Sequence, residues 1–301
     1  MSRVDEARRR VAGWQIDDPR RPDATGLASV DEYMLEDYPG ERASDSVDRP
    51  SRVHRPISAP RSTGSGHLGS LDADLNGKIV GSSNTSPIVV EQYRRLAASL
   101  HELQVDTGLK TMMVTSAMPR EGKTLTVTNL ALTLSQSYRR RVVLIDADLR
   151  RPSLHEIFRL PKTAGLSEAL RAGTRPHLLE LSPLLSILPA GSLEGDPLSA
   201  LTSTRLPELI EHCSAAFDWV LLDAPPVGLM PDANVLARIA KAVVFVVAAG
   251  VTPHRLVERA IADLGRDTIV GTVLNRIEEQ HMPAAGHYAD YYSAAGSSVT
   301  E

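Results

Sequence analysis

Residues 117–124 read Ala-Met-Pro-Arg-Glu-Gly-Lys-Thr, a permissive Walker A pattern with Ala in place of the first Gly. A β-rich run precedes them and a helical stretch follows, the context that a phosphate-cradling loop needs. The backbone N–H groups of Arg120, Glu121, Gly122, Lys123, Thr124 and Leu125 can then point at the β- and γ-phosphates of a nucleotide, reinforced by the helix N-terminus. Gly122 lets the backbone approach closely, Lys123 neutralises transferred charge, and the Thr124 hydroxyl can coordinate Mg²⁺. The plain alternative is a strand–turn–helix with an incidental Gly-Lys, and the flanking elements weigh against it.

Two more motifs end hydrophobic runs. Val-Leu-Ile-Asp-Ala-Asp-Leu-Arg at 143–150 sets Asp146 and Asp148 just past one run, and Val-Leu-Leu-Asp-Ala-Pro-Pro at 220–226 sets Asp223 at the end of another. A lone Asp at a strand end is more often a cap than a metal ligand. In an open parallel sheet, however, ligands bind beyond the carboxyl ends of the strands, so all three motifs converge on one edge. The nine histidines are scattered and show no zinc spacing, so no structural metal is expected.

The elements that must position these motifs are legible in the pattern. Strands are expected over 110–116, Val142–Asp146, Leu185–Leu188, Trp219–Asp223, 242–248 and 269–274. Helices are expected over 122–137, 204–215, Asp232–Ala240 and 253–264, and one more begins at Ser86 and Pro87. Near-continuous Val, Ile and Leu runs mark strands covered on both faces, and crossover helices make the sheet mostly parallel. The expected fold is therefore α/β: one doubly wound domain over 83–276. Arg139–Arg141, between a helix and a strand, is expected to satisfy the helix C-terminus.

Composition sets the outer limits. Of 301 residues, 42% are hydrophobic and only 4% aromatic, so the core must be aliphatic. A formal net charge of −4 argues against a dedicated nucleic-acid binder. A single cysteine, Cys213, cannot form an internal disulfide, which fits a reducing compartment. No apolar run approaches the roughly 20 residues of a membrane span, and the first residues lack a signal-peptide core, so a soluble cytoplasmic protein is expected. Residues 1–82 carry repeated prolines and a Ser/Gly-rich stretch and are expected to be disordered, with Arg8–Arg10 a solvated charge run. Residues 277–301 read as a mobile tail with Tyr288, Tyr291 and Tyr292.

Together the three motifs resemble the Walker A, A′ and B motifs of the bacterial tyrosine kinases of capsule and exopolysaccharide export, and the likeness runs from about Ser86 to Arg276. The resemblance implies a P-loop fold of the ParA/MinD-like type and Mg²⁺/ATP-dependent autophosphorylation of Tyr288, Tyr291 and Tyr292. It implies Lys123 on the phosphates, Thr124 and Asp223 on Mg²⁺, and Asp146 as proton acceptor. Asp148 either joins the metal shell or shares that role. By the same analogy Asn275 touches the adenine; a turn-forming role is its alternative. A membrane-bound chain-length determinant on a separate chain is the implied activator, holding the kinase at the inner face of the membrane, and a cognate phosphatase is a further implied partner. Arg120 stands where this family usually has Gly. Of the oligomerisation motif, Glu91 and Arg94 match while Ala97 replaces the final Arg, which breaks the motif; Arg95 and His101 are the nearby substitutes.

Two rivals remain. A ParA/MinD-like ATPase switch shares the fold, but its signature lysine position holds Met118, and residues 286–301 lack an amphipathic membrane helix. A nucleotide-binding regulator without transferase activity would use the tail only as a docking peptide.

Overall fold

A computed structural model describes residues 75–277, apart from 76, 83, 162, 174, 175, 193 and 229. The N-terminal calls on 1–74 and all three tail tyrosines lie outside the described residues.

Helix α1, Pro87–Thr107, starts with Pro87 in its first turn, where a missing N–H costs nothing, and ends at the left-handed Gly108 (φ 71°). Strand β1, Thr111–Ser116, leads through the loop of 117–122 into α2, Lys123–Gln136. Strand β2, Val142–Asp146, is followed by two short helices, α3 (Leu154–Ile157) and α4 (Leu166–Ala172). Strands β3 (Leu179–Ser182) and β4 (Leu185–Leu188) form a hairpin, and helices α5 (Pro197–Leu201) and α6 (Arg205–Ala216) lead to β5, Trp219–Asp223. Helix α7 (Asp232–Ala240), β6 (Val243–Ala248), α8 (His254–Leu264) and β7 (Ile269–Asn275) complete the described chain.

The seven strands form one sheet in the order β3-β4-β2-β5-β1-β6-β7. All neighbours are parallel except β3 and β4. Alternation within β1 shows why both faces are apolar. Met113 joins the core under α4–α8, whereas Met112 and Val114 join the core under α1, α2 and α3. Such a sheet is the doubly wound α/β fold expected from the sequence.

Three details differ from expectation. Ile79 and Val80 are buried, and Asn129 on α2 accepts a hydrogen bond from Val80 N–H (2.8 Å) and donates one to the Lys78 carbonyl (2.9 Å). The folded part thus begins before residue 83. Two apolar residues flanked by glycine have no period to betray this. Edge strand β3 and helices α3, α4 and α5 have no counterpart among the expected elements, being too short to show a period. Finally, backbone bonds cap α2 (Ser137 N–H to Thr133 O, 2.9 Å; Arg140 N–H to Leu134 O, 3.1 Å), so the arginine run satisfies the helix C-terminus as expected, but through the main chain of Arg140 and not through a guanidinium. The Arg140 guanidinium instead meets His101 (3.2 Å).

Among the described residues, no helix is long and apolar enough to cross a membrane. Cys213 is buried on α6, and burial pushes its thiol up to about 12, which makes it unreactive.

Candidate active site

The carboxyl ends of β1, β2 and β5 bring the three motifs together. Asp146 and Asp223 end neighbouring strands in direct register. The Lys123 ammonium lies 3.0 Å from Asp148 Oδ2 and 3.3 Å from Asp223 Oδ1, and also donates to Thr124 Oγ1 at 3.3 Å. All four charged groups are buried. Burial works against the lysine's charge, but Asp223 and Asp148 outweigh it and raise its pKa above the usual lysine range.

The carboxylates are unequal. Asp146 Oδ2 accepts the backbone N–H groups of Ser153 and Leu154, both at 3.0 Å, while its Oδ1 has no partner. Burial, then the neighbouring Asp223 charge, push Asp146 up to about 8. Burial also lifts Asp223 above the carboxylate range against the pull of Lys123 and Thr124, and its Oδ2 is unpartnered. Asp148 is fixed differently: its Oδ1 accepts Arg151 N–H at 3.0 Å.

The loop itself is strained and clamped. Arg120 (φ 66°) and Gly122 (φ 93°) are left-handed, and a Cβ on Gly122 would stand 2.1 Å from Asn275 Nδ2. Asn275 donates to the Glu121 carbonyl (2.8 Å), and the Arg276 guanidinium donates to the Arg120 carbonyl. The Glu121 side chain turns inward. It accepts from Met118 N–H (2.6 Å) and from the Thr252 hydroxyl, so its carboxylate braces the loop. Leu125 follows in the first turn of α2 and packs against the core.

Residues that sequence reasoning missed are all supports. Ser153 donates from its hydroxyl to Thr124 Oγ1 (3.1 Å). Arg150 grips the buried Asp232 with two bonds, Nε to Oδ2 at 2.7 Å and Nη2 to Oδ1 at 3.2 Å, tying the loop after β2 to α7. Only the Arg in the LIDADLRR string hinted at this. The residues expected to mediate oligomerisation lie elsewhere: Glu91 sits 3.8 Å from Arg94 and 3.9 Å from Arg95, while Ala97 is fully buried. His101 faces Arg140 and the Tyr138 ring.

The site suits Mg²⁺ with a nucleotide. Two buried carboxylate oxygens lack partners, a hydroxyl stands beside them, and glycine leaves the backbone open at the helix N-terminus. Among the described residues, no group of three or more His, Cys, Asp or Glu is arranged to hold a metal alone. Phosphate oxygens would have to complete the shell.

Comparison with known proteins decides the family. The chain is 32% identical over 210 residues to the tyrosine-protein kinase YwqD of Bacillus subtilis, a match covering 66% of this chain and 85% of that one. It is a bacterial tyrosine kinase by family. The kinase wzc of Salmonella typhimurium is 31% identical over 214 residues, 69% of this chain but only 29% of its own length. Among solved structures, the chimerical protein CapA2B2 superposes with a TM-score of 0.61 at 26% identity, covering 67% of this chain and 90% of that one. No model of a protein family matches the chain. Within this family the seven-stranded P-loop sheet, the Walker-type motifs and the strand-end carboxylates form a nucleotide-binding kinase fold.

Proposed function

We propose that this protein is an ATP-dependent tyrosine autokinase that phosphorylates Tyr288, Tyr291 and Tyr292 in its own C-terminal segment and thereby regulates capsule or exopolysaccharide synthesis. The observation that carries the reading is the pair of buried, partnerless oxygens, Asp146 Oδ1 and Asp223 Oδ2, set around Lys123 and Thr124 at a helix N-terminus.

The residues divide the labour. Lys123 and the backbone N–H groups of 120–125 bind the phosphates. Thr124 Oγ1 and Asp223 Oδ2 are the oxygen donors for Mg²⁺, with Asp148 beside them, and Mg²⁺ when bound offsets the phosphate charge. Asp146 Oδ1 is the proton acceptor. Its pKa of about 8 brings it near the working pH, where a general base is most effective. The tyrosine O–H gives its proton to Asp146, the phenolic oxygen bonds to the γ-phosphorus, and the bond from that phosphorus to the bridging oxygen breaks, releasing ADP. Asn275, which donates to the Glu121 carbonyl, is placed to support the loop, and adenine contact would be an added role.

The activator is proposed to be a separate membrane chain. YwqD is covered over 85% of its length, whereas 71% of wzc lies outside the match. That separate membrane chain would be a polysaccharide chain-length determinant that recruits the kinase to the inner membrane face. A tyrosine phosphatase would reverse the modification.

Mass spectrometry of the tryptic peptide 277–301, which holds all three tyrosines, tests the reading. Phosphate is expected there in wild type with ATP, Mg²⁺ and activator, and not in Lys123→Met. An unmodified peptide alongside steady ATP hydrolysis would favour an ATPase switch instead.

A further inference from the structure

Thr124 supplies the neutral oxygen of the site, and its hydroxyl is fully committed. It accepts from the Lys123 ammonium at 3.3 Å and from the Ser153 hydroxyl at 3.1 Å. A hydroxyl has two lone pairs and one proton. Both lone pairs are therefore taken, and the proton is left for Asp223, whose negative charge it favours. A cation can use this oxygen only when one of the two donors withdraws.

The two donors differ in their freedom to do so. The Lys123 ammonium carries three protons on a flexible stem and also meets Asp148 at 3.0 Å and Asp223 at 3.3 Å, so it can turn towards incoming phosphates and release Thr124. Ser153 is anchored. Its backbone N–H donates to Asp146 Oδ2 at 3.0 Å, and the next N–H, that of Leu154, donates to the same oxygen. Asp146 is fully buried at the end of β2, which ties Ser153 to the sheet itself.

What the Ser153 hydroxyl forgoes is equally telling. Ser153 is the N-cap residue of α3, a position where a serine oxygen ordinarily accepts a backbone N–H of its own helix. Here it makes no such bond and reaches instead across 29 residues to the first turn of α2. A residue that served only as a cap would keep the local bond.

We infer, on the reading that Thr124 holds Mg²⁺, that Ser153 is a positioning residue for the metal site: it fixes the Thr124 hydroxyl so that the lone pair released by Lys123 is presented to the cation. By occupying Asp146 Oδ2, the same residue also leaves Oδ1 as the open oxygen of the proposed proton acceptor. One serine thus sets the metal donor and the proton acceptor relative to each other.

The size of the effect follows from one neutral hydrogen bond. Without it the Thr124 hydroxyl rotates, and ordering it again weakens binding of the metal–nucleotide complex roughly three- to tenfold. Binding of metal-free nucleotide relies on Lys123 and the loop backbone and is not affected in this way.

Calorimetric titration of the full chain with a non-hydrolysable ATP analogue, in excess Mg²⁺ and in excess chelator, gives the factor by which the metal tightens binding. In Ser153→Ala this factor should fall roughly three- to tenfold, while affinity in chelator stays within about twofold of wild type. Ser153→Gly, nearly as good an N-cap, should behave like Ser153→Ala, and Ser153→Thr, which keeps the hydroxyl, should return most of the factor. A wild-type factor in Ser153→Ala or Ser153→Gly overturns the inference, as does an equal loss of affinity with and without metal, which would make Ser153 a structural support only. Thr124→Ala separates the two levels of the reading. If it too keeps the wild-type factor, the metal role of Thr124 fails; if it loses the factor while Ser153→Ala does not, only the role of Ser153 fails.

Discussion

Lys123→Met is a familiar kind of inactivating change in a P-loop protein, but here it should also unsettle the resting fold. Lys123 is the cation beside three buried carboxylates, 3.0 Å from Asp148 and 3.3 Å from Asp223. At an effective dielectric of about 20, each such contact carries roughly 5 kcal/mol before the desolvation of both partners offsets it. Removing one member of a buried pair leaves the other uncompensated and typically costs about 3–5 kcal/mol. For a domain of this size that lowers the melting temperature by about 6–20 °C. The loss should depend on pH. Without the ammonium, the raised folded-state pKa values of Asp146 and Asp223 rise further, so the folded state binds more protons than the unfolded one. A group with a raised folded pKa stabilises fully below its unfolded value and loses that contribution as pH climbs through the folded value. The deficit should therefore be greatest near pH 8 and shrink towards pH 5. Urea unfolding without nucleotide or magnesium, at several pH values, measures this, and Asp223→Asn in the same chain should recover part of the loss. A deficit under about 1 kcal/mol at pH 8, or one that grows on acidification, would falsify the charge balance argued from the site.

Three further outcomes follow from the same geometry. Because Asp146 is raised from 3.8 to about 8 in the fold, nucleotide-free wild type should lose stability as pH rises from about 4 to 8; Asp146→Asn should flatten that slope, gain about 1 kcal/mol or more at pH 8, and stop tail phosphorylation. Gly122→Ala puts a Cβ 2.1 Å from Asn275 Nδ2 at a backbone φ of 93°, so ATP affinity by calorimetry should fall roughly tenfold or more, and adding Asn275→Ala should restore little because the left-handed strain persists. Arg150→Ala strands the buried Asp232 carboxylate and frees the loop bearing Asp148; unfolding should show a loss of about 1.5–3 kcal/mol, with Arg150→Lys, which cannot span both oxygens, recovering only part.

What the sequence revealed and what it hid divide along physical lines. Val142–Asp146 and Trp219–Asp223 are fully buried, so both faces demand apolar residues and the run announces itself, ending at the carboxylate that matters. Leu179–Ser182 is mostly half-buried at the sheet edge and pairs antiparallel to its neighbour, so neither a run nor a crossover marks it. The same holds within the site. Lys123, Thr124, Asp146 and Asp223 occur in fixed local spacing, and that spacing is readable. Glu121 is different: its backbone belongs to the motif, but its carboxylate is used 131 residues away on Thr252, a pairing that only the folded chain creates. Asn275 bridges 154 residues to the Glu121 carbonyl, and Ser153 meets Thr124 across 29. Local spacing encodes the groups that touch phosphate, whereas their supports are assembled by topology.

The arrangement of charges also constrains how nucleotide can load. The Lys123 ammonium is held by Asp148 and Asp223, which occupy its charge as phosphate oxygens would. A triphosphate that draws Lys123 away leaves Asp223, fully buried and with one oxygen already partnerless, facing several new negative charges. Protonating Asp223 would relieve this only partly, because the phosphates remain close to Asp148. A divalent cation between carboxylate and phosphate relieves both at once, and Thr124 supplies a neutral oxygen beside it. ATP should accordingly bind as its magnesium complex, with affinity roughly tenfold or more weaker in excess chelator. In Asp223→Asn that penalty should narrow, because one of the repelling charges is gone. Calorimetric titration of both proteins with and without magnesium reads the difference directly. Equal chelator penalties in the two would mean that the cation answers to the phosphates alone and that Asp223 serves only to hold Lys123.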